Sequence, residues 1–158
     1  MLDCLYMSKD VSPAQFMKAM SGKHLIFFDG VCGLCDRLVQ WVVKHDENRV
    51  FCFVSLQSVL ARTFSDPYGI EQDDLKTLVL VTHLGTERES VYRRSKAVGF
   101  ICRQLPGYRW VGFLLRIVPT FLGDIGYRIV ASIRYRLFGV LNECPRPKSE
   151  DLDRFFIH

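Results

Sequence analysis

The chain has 158 residues, of which 49% are hydrophobic and 24% are charged, and its formal net charge is +4. This length and composition are typical of one globular domain with a sizeable core. The first ten residues lack the basic and apolar regions of a signal peptide, and no apolar stretch reaches the roughly 18 residues of a spanning helix. We therefore expect a reducing, cytoplasmic compartment, in which most of the six cysteines are free thiols.

The first half of the chain predicts strands and helices that alternate behind a short N-terminal helix. Ser12-Pro13 is typical of an N-cap and first helical residue, and it predicts a helix that continues to about Met20. An apolar run predicts a buried strand over Leu25–Phe28. Apolar side chains at helical spacing then predict an amphipathic helix over Cys32–His45, and a second buried strand follows over Val50–Val54.

The next elements complete a small α/β unit. Ser55 is expected to cap a helix, and Asp66–Gly69 is expected to form the turn after it. Strands over Thr77–Val81 and Arg88–Tyr92 are predicted to pair as an antiparallel hairpin, which a helix over Ser95–Gln104 follows.

The resulting order, β-α-β-α-β-β-α, is that of a thioredoxin core, with the first two strands parallel. We therefore predict an α/β protein with a thioredoxin-like core over residues 23–105. A tail and short helix over residues 1–22 precede this core, and a helical, basic extension over residues 106–158 follows it. The whole chain is predicted to form one domain.

A Cys-x-x-Cys pair, Cys32 and Cys35, lies between the first strand and its helix. This layout is typical of a thioredoxin-like redox site. At this spacing the two sulfurs can approach each other on one helical face. The unpaired N–H groups and the positive end of the helix dipole favour a thiolate, the reactive form, at Cys32. Cys35 would then resolve a mixed disulfide.

Asp29, three residues before Cys32, has three candidate roles. Its negative charge would disfavour the thiolates. It could also accept the proton of Cys35, or cap the helix. The sequence leaves these roles open.

The segment Phe28–Cys35, with the sequence Phe-Asp-Gly-Val-Cys-Gly-Leu-Cys, resembles the signature of the DCC family. That family of thiol-disulfide oxidoreductases is named for this Asp and the two Cys. The signature includes Gly30. The resemblance extends from about His24 to Cys144. Four further segments are typical of the family: Phe53–Ser58, Leu78–Val81, Tyr92–Ala97 and Arg134–Gly139. Cys144-Pro145, which follows the last of them, is typical as well. It implies a thioredoxin-like fold and a thiol-disulfide exchange activity.

Two positions depart from related patterns. Thioredoxins have a cis-proline before the third core strand, and this chain has Thr77 there instead. Thr77 either faces the site or is an ordinary residue at the start of the strand. Members of the DCC family often have Asn before the Arg-Tyr-Arg segment, where this chain has Ile133.

The remaining cysteines have other expected roles. Cys52 and Cys102 lie in apolar segments and are expected to be buried packing residues. Cys144 matches a C-terminal cysteine of the family, which would make it either an auxiliary redox thiol or an unreactive one. A structural zinc site needs four ligands, and the one Cys-x-x-Cys pair and scattered histidines do not supply them. No metal is therefore expected, and no organic cofactor is implied, because the electrons would come from thiols.

The segment from Arg93 to Arg136 contains nine Lys or Arg residues and one acid. Apolar residues at i, i+4 spacing form a stripe within it, and we expect this stripe to pack on the core while the arginines are solvated. The alternative is contact with an anionic membrane or an acidic partner, for which Tyr108, Trp110 and Tyr127 are suitable interface residues. Nucleic acid is not an expected partner, because no recognised module is present. The stripe consists of Phe121, Ile125, Ile129, Ile133 and Leu137.

The sequence thus predicts a thiol-disulfide oxidoreductase acting on protein or small thiol substrates, with Cys32 as nucleophile, Cys35 as resolving thiol and Asp29 beside them. The alternative is a non-catalytic membrane- or partner-binding protein whose cysteines are structural or bind metal.

Overall fold

The computed structural model describes residues 13–70, 78–141 and 149–156. Its helices are α1 (Pro13–Ala19), α2 (Gly33–His45), α3 (Val59–Tyr68), α4 (Arg94–Gln104), α5 (Arg109–Ile117) and α6 (Thr120–Phe138), with a 3₁₀ helix at Ser149–Arg154. Its strands are β1 (His24–Phe28), β2 (Phe51–Ser55), β3 (Val79–Thr82), β4 (Ser90–Arg93) and β5 (Phe155–Phe156). The predicted order of elements is confirmed.

The five strands form one sheet in the order β4-β3-β1-β2-β5. Strands β1 and β2 are parallel, as predicted, because α2 makes a crossover connection between them. Strand β3 is antiparallel to both β1 and β4, so the predicted hairpin is also confirmed. This is a thioredoxin-like α/β arrangement with additional C-terminal helices.

The central strands are buried on both faces, and this accounts for their almost uninterrupted apolar sequences. Side chains such as Ile26 and Phe28 of β1 pack with α2 and α4, whereas Leu25 and Phe27 pack with α1 and α3 on the other face. Cys52 and Cys102 are buried, as predicted for packing residues. The sheet therefore packs between two hydrophobic layers. The Cys-x-x-Cys pair follows the carboxyl end of β1.

The two-residue strand β5 was not predicted, since two phenylalanines have no periodicity. It pairs in parallel with β2 at the edge of the sheet. A buried ion pair between Arg154 and Asp46 fixes this edge, and Arg154 Nε also donates to the Phe51 carbonyl at 3.0 Å.

Two local predictions around α3 are wrong. Ser55 lies in β2, and Ser58 caps the helix instead, because its Oγ accepts the Ala61 N–H at 3.1 Å. The predicted turn over Asp66–Gly69 is largely helical, since α3 continues through Pro67 to Tyr68. Proline in the last turn disrupts little, because few helical hydrogen bonds lie beyond it.

The C-terminal helices pack on the core through small and polar side chains. Gly112 of α5 meets α4 so closely that a Cβ there would lie 2.7 Å from the Gly99 carbonyl oxygen. In α6, a Cβ at Gly123 would lie 2.9 Å from Ser95 Oγ, and the Tyr127 hydroxyl accepts the Leu78 N–H at 2.9 Å.

The apolar stripe of α6 was predicted to pack on the core, and this prediction is wrong. All five of its residues are exposed. The opposite face of the helix, which includes Tyr127 and Arg134, lies against the core because its small residues allow close approach and its polar groups find partners there.

The close approach of α5 to α4 leads to a prediction about stability. Gly112→Ala should lower the free energy of unfolding by roughly 1–3 kcal/mol, because the methyl group would overlap the Gly99 backbone. Gly126→Ala is the matched control, since a Cβ there meets nothing within 4 Å, and alanine should raise helix stability by up to about 1 kcal/mol. Urea denaturation under reducing conditions measures both changes. Equal effects of the two substitutions would contradict the packing described.

Candidate active site

The Cys-x-x-Cys pair lies where β1 passes into α2. Cys32 occupies the N-cap position of α2, and Cys35 lies in its first turn. Both are free thiols. Both are also buried, Cys32 completely and Cys35 with 8% of its surface exposed.

The two thiols differ in their surroundings. Burial raises the pKa of Cys35 to about 12, and the charge and hydrogen bond of the adjacent Cys32 contribute to this rise. The Arg134 guanidinium acts in the opposite direction. Cys35 is therefore a protonated thiol at neutral pH, and its role as resolving thiol stays a prediction.

The Asp29 carboxylate is the centre of a buried hydrogen-bond network. Its Oδ2 accepts from Arg134 Nη2 at 3.0 Å and from the Tyr135 hydroxyl. Its Oδ1 accepts from Gln57 Nε2 at 3.1 Å and from the Val31 N–H at 3.2 Å. Four donors and one positive charge thus compensate the burial of this carboxylate.

This geometry decides one of the three roles considered for Asp29. The helix-cap role is wrong, because its carboxylate binds the Val31 N–H in the turn before α2, while Cys32 occupies the N-cap position. Its negative charge does raise the pKa of Cys35, although burial, Cys32 and Arg134 all act on that thiol more strongly. Its role as proton acceptor stays a prediction.

Arg134 joins the thiol pair to Asp29. Its Nη1 lies 3.4 Å from Cys35 Sγ, and its guanidinium also stacks over the Tyr135 ring at 4.6 Å. Burial disfavours the charge of Arg134, but the two cysteines, Tyr135 and Asp29 outweigh this effect and raise its pKa. The guanidinium is therefore a fixed positive charge next to the cysteines.

The prediction of a solvated Arg134 is wrong, and Tyr135 was not considered for the site at all. Arg134 lies 105 residues after Asp29, and a local sequence pattern cannot indicate a contact over that separation. The available signal was the resemblance of Arg134-Tyr135-Arg136 to a segment typical of the DCC family.

Gln57 closes the other side of the network. Its Oε1 accepts the Gly30 N–H at 3.0 Å and the Ser55 hydroxyl at 2.7 Å, while its Nε2 donates to Asp29. Gly30 thus contributes its backbone N–H to the site. The turn before the cysteines is therefore held by the loop that follows β2 as well as by α6.

A C-terminal segment covers Cys32. We call residues Phe138–Leu141 the covering segment. The Leu141 N–H donates to the Val31 carbonyl at 2.8 Å, and Val140 forms an antiparallel bridge with Cys32. Gly33 permits this approach, since a Cβ there would lie 2.3 Å from the Phe138 carbonyl oxygen. Cys32 is therefore enclosed by the covering segment as well as by the hydrophobic core.

A cavity of about 290 Å³ lies on the Cys35 side, between α6 and the core. Its walls are mainly apolar and include Leu38, Val98 and Ala131, with Cys35 and Arg134 among the lining residues. Arg134 Nε is the one buried side-chain nitrogen or oxygen in the described parts of the chain that lacks a hydrogen-bond partner. The guanidinium next to the cavity therefore retains an N–H that no described residue uses.

Two candidate residues, Thr77 and Cys144, lie outside the described residues. Within residues 13–70, 78–141 and 149–156, no group of three or more His, Cys, Asp or Glu side chains is arranged to hold a metal ion. In the same residues, no helix combines the length and the hydropathy needed to cross a bilayer.

Comparisons with known proteins identify a family and two relatives. A family model described as DCC1-like thiol-disulfide oxidoreductase matches residues 26–140, from β1 to the covering segment. The uncharacterized protein YuxK of Bacillus subtilis is 33% identical over 132 residues, which cover 84% of this chain and 93% of YuxK. A chloroplastic DCC family protein of Arabidopsis thaliana is 36% identical over 124 residues, covering 77% of this chain and 69% of that protein.

No solved structure shows significant similarity to the chain. The family match includes both cysteines, Asp29 and Arg134, so the network described above lies within the matched region. The chain belongs to the DCC1-like thiol-disulfide oxidoreductase family.

Proposed function

We propose that the chain exchanges a Cys32–Cys35 dithiol or disulfide with protein or small thiol substrates, in a reducing compartment such as the cytoplasm. The observation that carries this proposal is the pair of free, adjacent thiols at the N-terminus of α2, beside a buried cation. Family membership supports the same general activity.

In the proposed reduction, the Cys32 thiolate attacks one sulfur of a substrate disulfide. A mixed disulfide forms with Cys32, and the other substrate sulfur leaves as a thiolate. Cys35 then loses its proton and attacks Cys32 Sγ, which releases the second substrate thiolate and forms the Cys32–Cys35 bond. Two electrons pass from the pair to the substrate, and the reverse sequence oxidises a dithiol.

Asp29 and Arg134 assist the second step in this proposal. Both Cys35 and Asp29 are hydrogen-bonded to the Arg134 guanidinium. The cation stabilises the Cys35 thiolate as it forms, and the Asp29 carboxylate is the proposed acceptor of its proton. Attack at Cys32 also requires the covering segment to move, because Cys32 is completely buried.

The first test is a glutathione redox titration of the purified chain, read by alkylation and mass spectrometry. We expect a reversible Cys32–Cys35 disulfide with a potential between roughly −300 and −120 mV. Cys35→Ser should trap a mixed disulfide on Cys32, and Cys32→Ser should not form one at Cys35. If the pair never oxidises in this range, or if it binds stoichiometric zinc, the result would support a non-catalytic binding protein instead. The burial of both thiols is the observation that favours this alternative.

The raised pKa of Cys35 predicts the pH dependence of the second step. The rate at which Cys35 resolves the mixed disulfide should rise with pH between 7 and 9, because burial holds the pKa of Cys35 above its ordinary value and the thiolate fraction grows throughout this range. Arg134→Gln should slow this step at each pH, since it removes the cation that lowers the pKa of Cys35.

Rapid mixing with a fluorescent disulfide measures this rate. Arg136→Gln is the matched control, because Arg136 lies on the same helix and is exposed. The double variant Asp29→Asn/Arg134→Gln guards against unfolding, since it leaves no unpaired buried charge. Equal rates for the Arg134 and Arg136 variants would contradict the assigned role.

The covering segment leads to a separate prediction. Gly33→Ala should displace it, because the new methyl group would overlap the Phe138 carbonyl. Iodoacetamide should then modify Cys32 several-fold faster at a fixed pH, while Gly126→Ala should leave the rate unchanged. If Gly33→Ala folds normally and leaves Cys32 as slow to react as before, the covering segment does not control access.

A further inference from the structure

The exposed apolar residues of this chain are concentrated in one region. Fifteen large apolar side chains are exposed in the described residues, and thirteen of them lie between positions 110 and 140. Single exposed apolar residues are ordinary, but a concentration of this size marks an interaction surface. The thirteen residues are Trp110, Phe113, Leu114, Ile117, Val118, Phe121, Leu122, Ile125, Ile129, Val130, Ile133, Leu137 and Val140.

These residues follow the helical repeat. On α5 they recur at i, i+3, i+4 and i+7 from Trp110, and on α6 they recur every four residues from Phe121. The exposed Ile117 and Val118 continue the apolar surface through the connection between the two helices. Each helix therefore presents an apolar face away from the core.

Rotating either helix to bury its apolar face would break the contacts that the helix makes with the core. The opposite face of α5 packs on α4 through Gly112, and that of α6 carries Arg134 into its ion pair with Asp29. The apolar faces therefore require a covering that the described core does not supply.

The charges around these faces are almost all positive. Residues 109–140 contain five arginines and one acid, Asp124. The half-buried Asp124 accepts a hydrogen bond from Ser95 at 3.0 Å, and Arg134 is buried with Asp29. The four remaining arginines are exposed: Arg109, Arg116, Arg128 and Arg136.

We propose that α5 and α6 dock on the surface of an anionic lipid bilayer. Amphipathic helices with arginines beside their apolar side chains lie in the interface of such a membrane, where the apolar side chains insert and the guanidinium groups reach the headgroups. Trp110 is 64% exposed and suits this interface. Tyr108 and Tyr127 do not take part in the same way, because Tyr108 packs on Trp41 and Tyr127 binds Leu78.

A second copy of the chain fits this surface less well. A symmetric dimer would bring two copies of the same patch together, and its exposed charges are all arginines. An acidic protein surface would pair with the arginines but would leave most of the thirteen apolar side chains without a partner.

Vesicle flotation with the full-length, reduced chain tests the proposal. We expect binding to vesicles that contain phosphatidylglycerol, weak binding to pure phosphatidylcholine, and release at high salt. Trp41→Phe leaves Trp110 as the sole tryptophan, and its emission should shift to shorter wavelength when anionic vesicles are added.

Two pairs of variants separate the contributions. Arg116→Gln/Arg128→Gln should weaken binding roughly thirtyfold, if each arginine contributes about 1 kcal/mol. Arg88→Gln, an exposed arginine on the β3–β4 connection, should change it little. Ile125→Gln/Ile129→Gln should weaken binding by more than about tenfold, whereas Val59→Gln, at a 69% exposed position outside the patch, should not.

Three results would overturn the proposal. The first is no binding to anionic vesicles. The second is equal binding to neutral and anionic vesicles. The third is a stable dimer, seen by sedimentation equilibrium, that Ile125→Gln/Ile129→Gln dissociates.

Discussion

The buried ion pair between Asp29 and Arg134 connects the two halves of this structure. Asp29 directly follows β1, just before the cysteines, and Arg134 lies near the C-terminal end of α6. Their side chains are each only 3% exposed, so neither charge is compensated by water, and each depends on the other. Helix α6 is therefore part of the candidate active site, and its orientation determines which of its faces is buried and which is exposed.

The same contact shapes the surroundings of both cysteines. It holds a cation 3.4 Å from Cys35, and it positions the end of α6 so that the covering segment lies over Cys32. The more exposed thiol is thus Cys35, which has a raised pKa, while Cys32 is enclosed. In the proposed exchange reaction, the covering segment must therefore open locally before a substrate can reach Cys32.

Local patterns in the sequence were sufficient to predict strands β1–β4, most of the helices and the position of the Cys-x-x-Cys pair, because periodicity reports on short segments. They failed where a contact joins distant residues. Arg134 and Phe121 belong to the same amphipathic helix, and the usual rule buries the apolar residue and exposes the arginine. The opposite occurs because Asp29 provides a buried partner for Arg134. Ser55 was predicted to cap α3, but β2 extends to Ser55, and the cap is made by Ser58.

The most direct test of this account is a double-mutant cycle on the ion pair, measured by urea unfolding of the reduced protein. Asp29→Asn and Arg134→Gln should each lower the free energy of unfolding by about 3–5 kcal/mol, because each leaves an unpaired buried group. The double variant should lose clearly less than the sum of the two single losses. Small and additive losses would show that α6 does not depend on Asp29, and would contradict the claim that this helix is part of the active site.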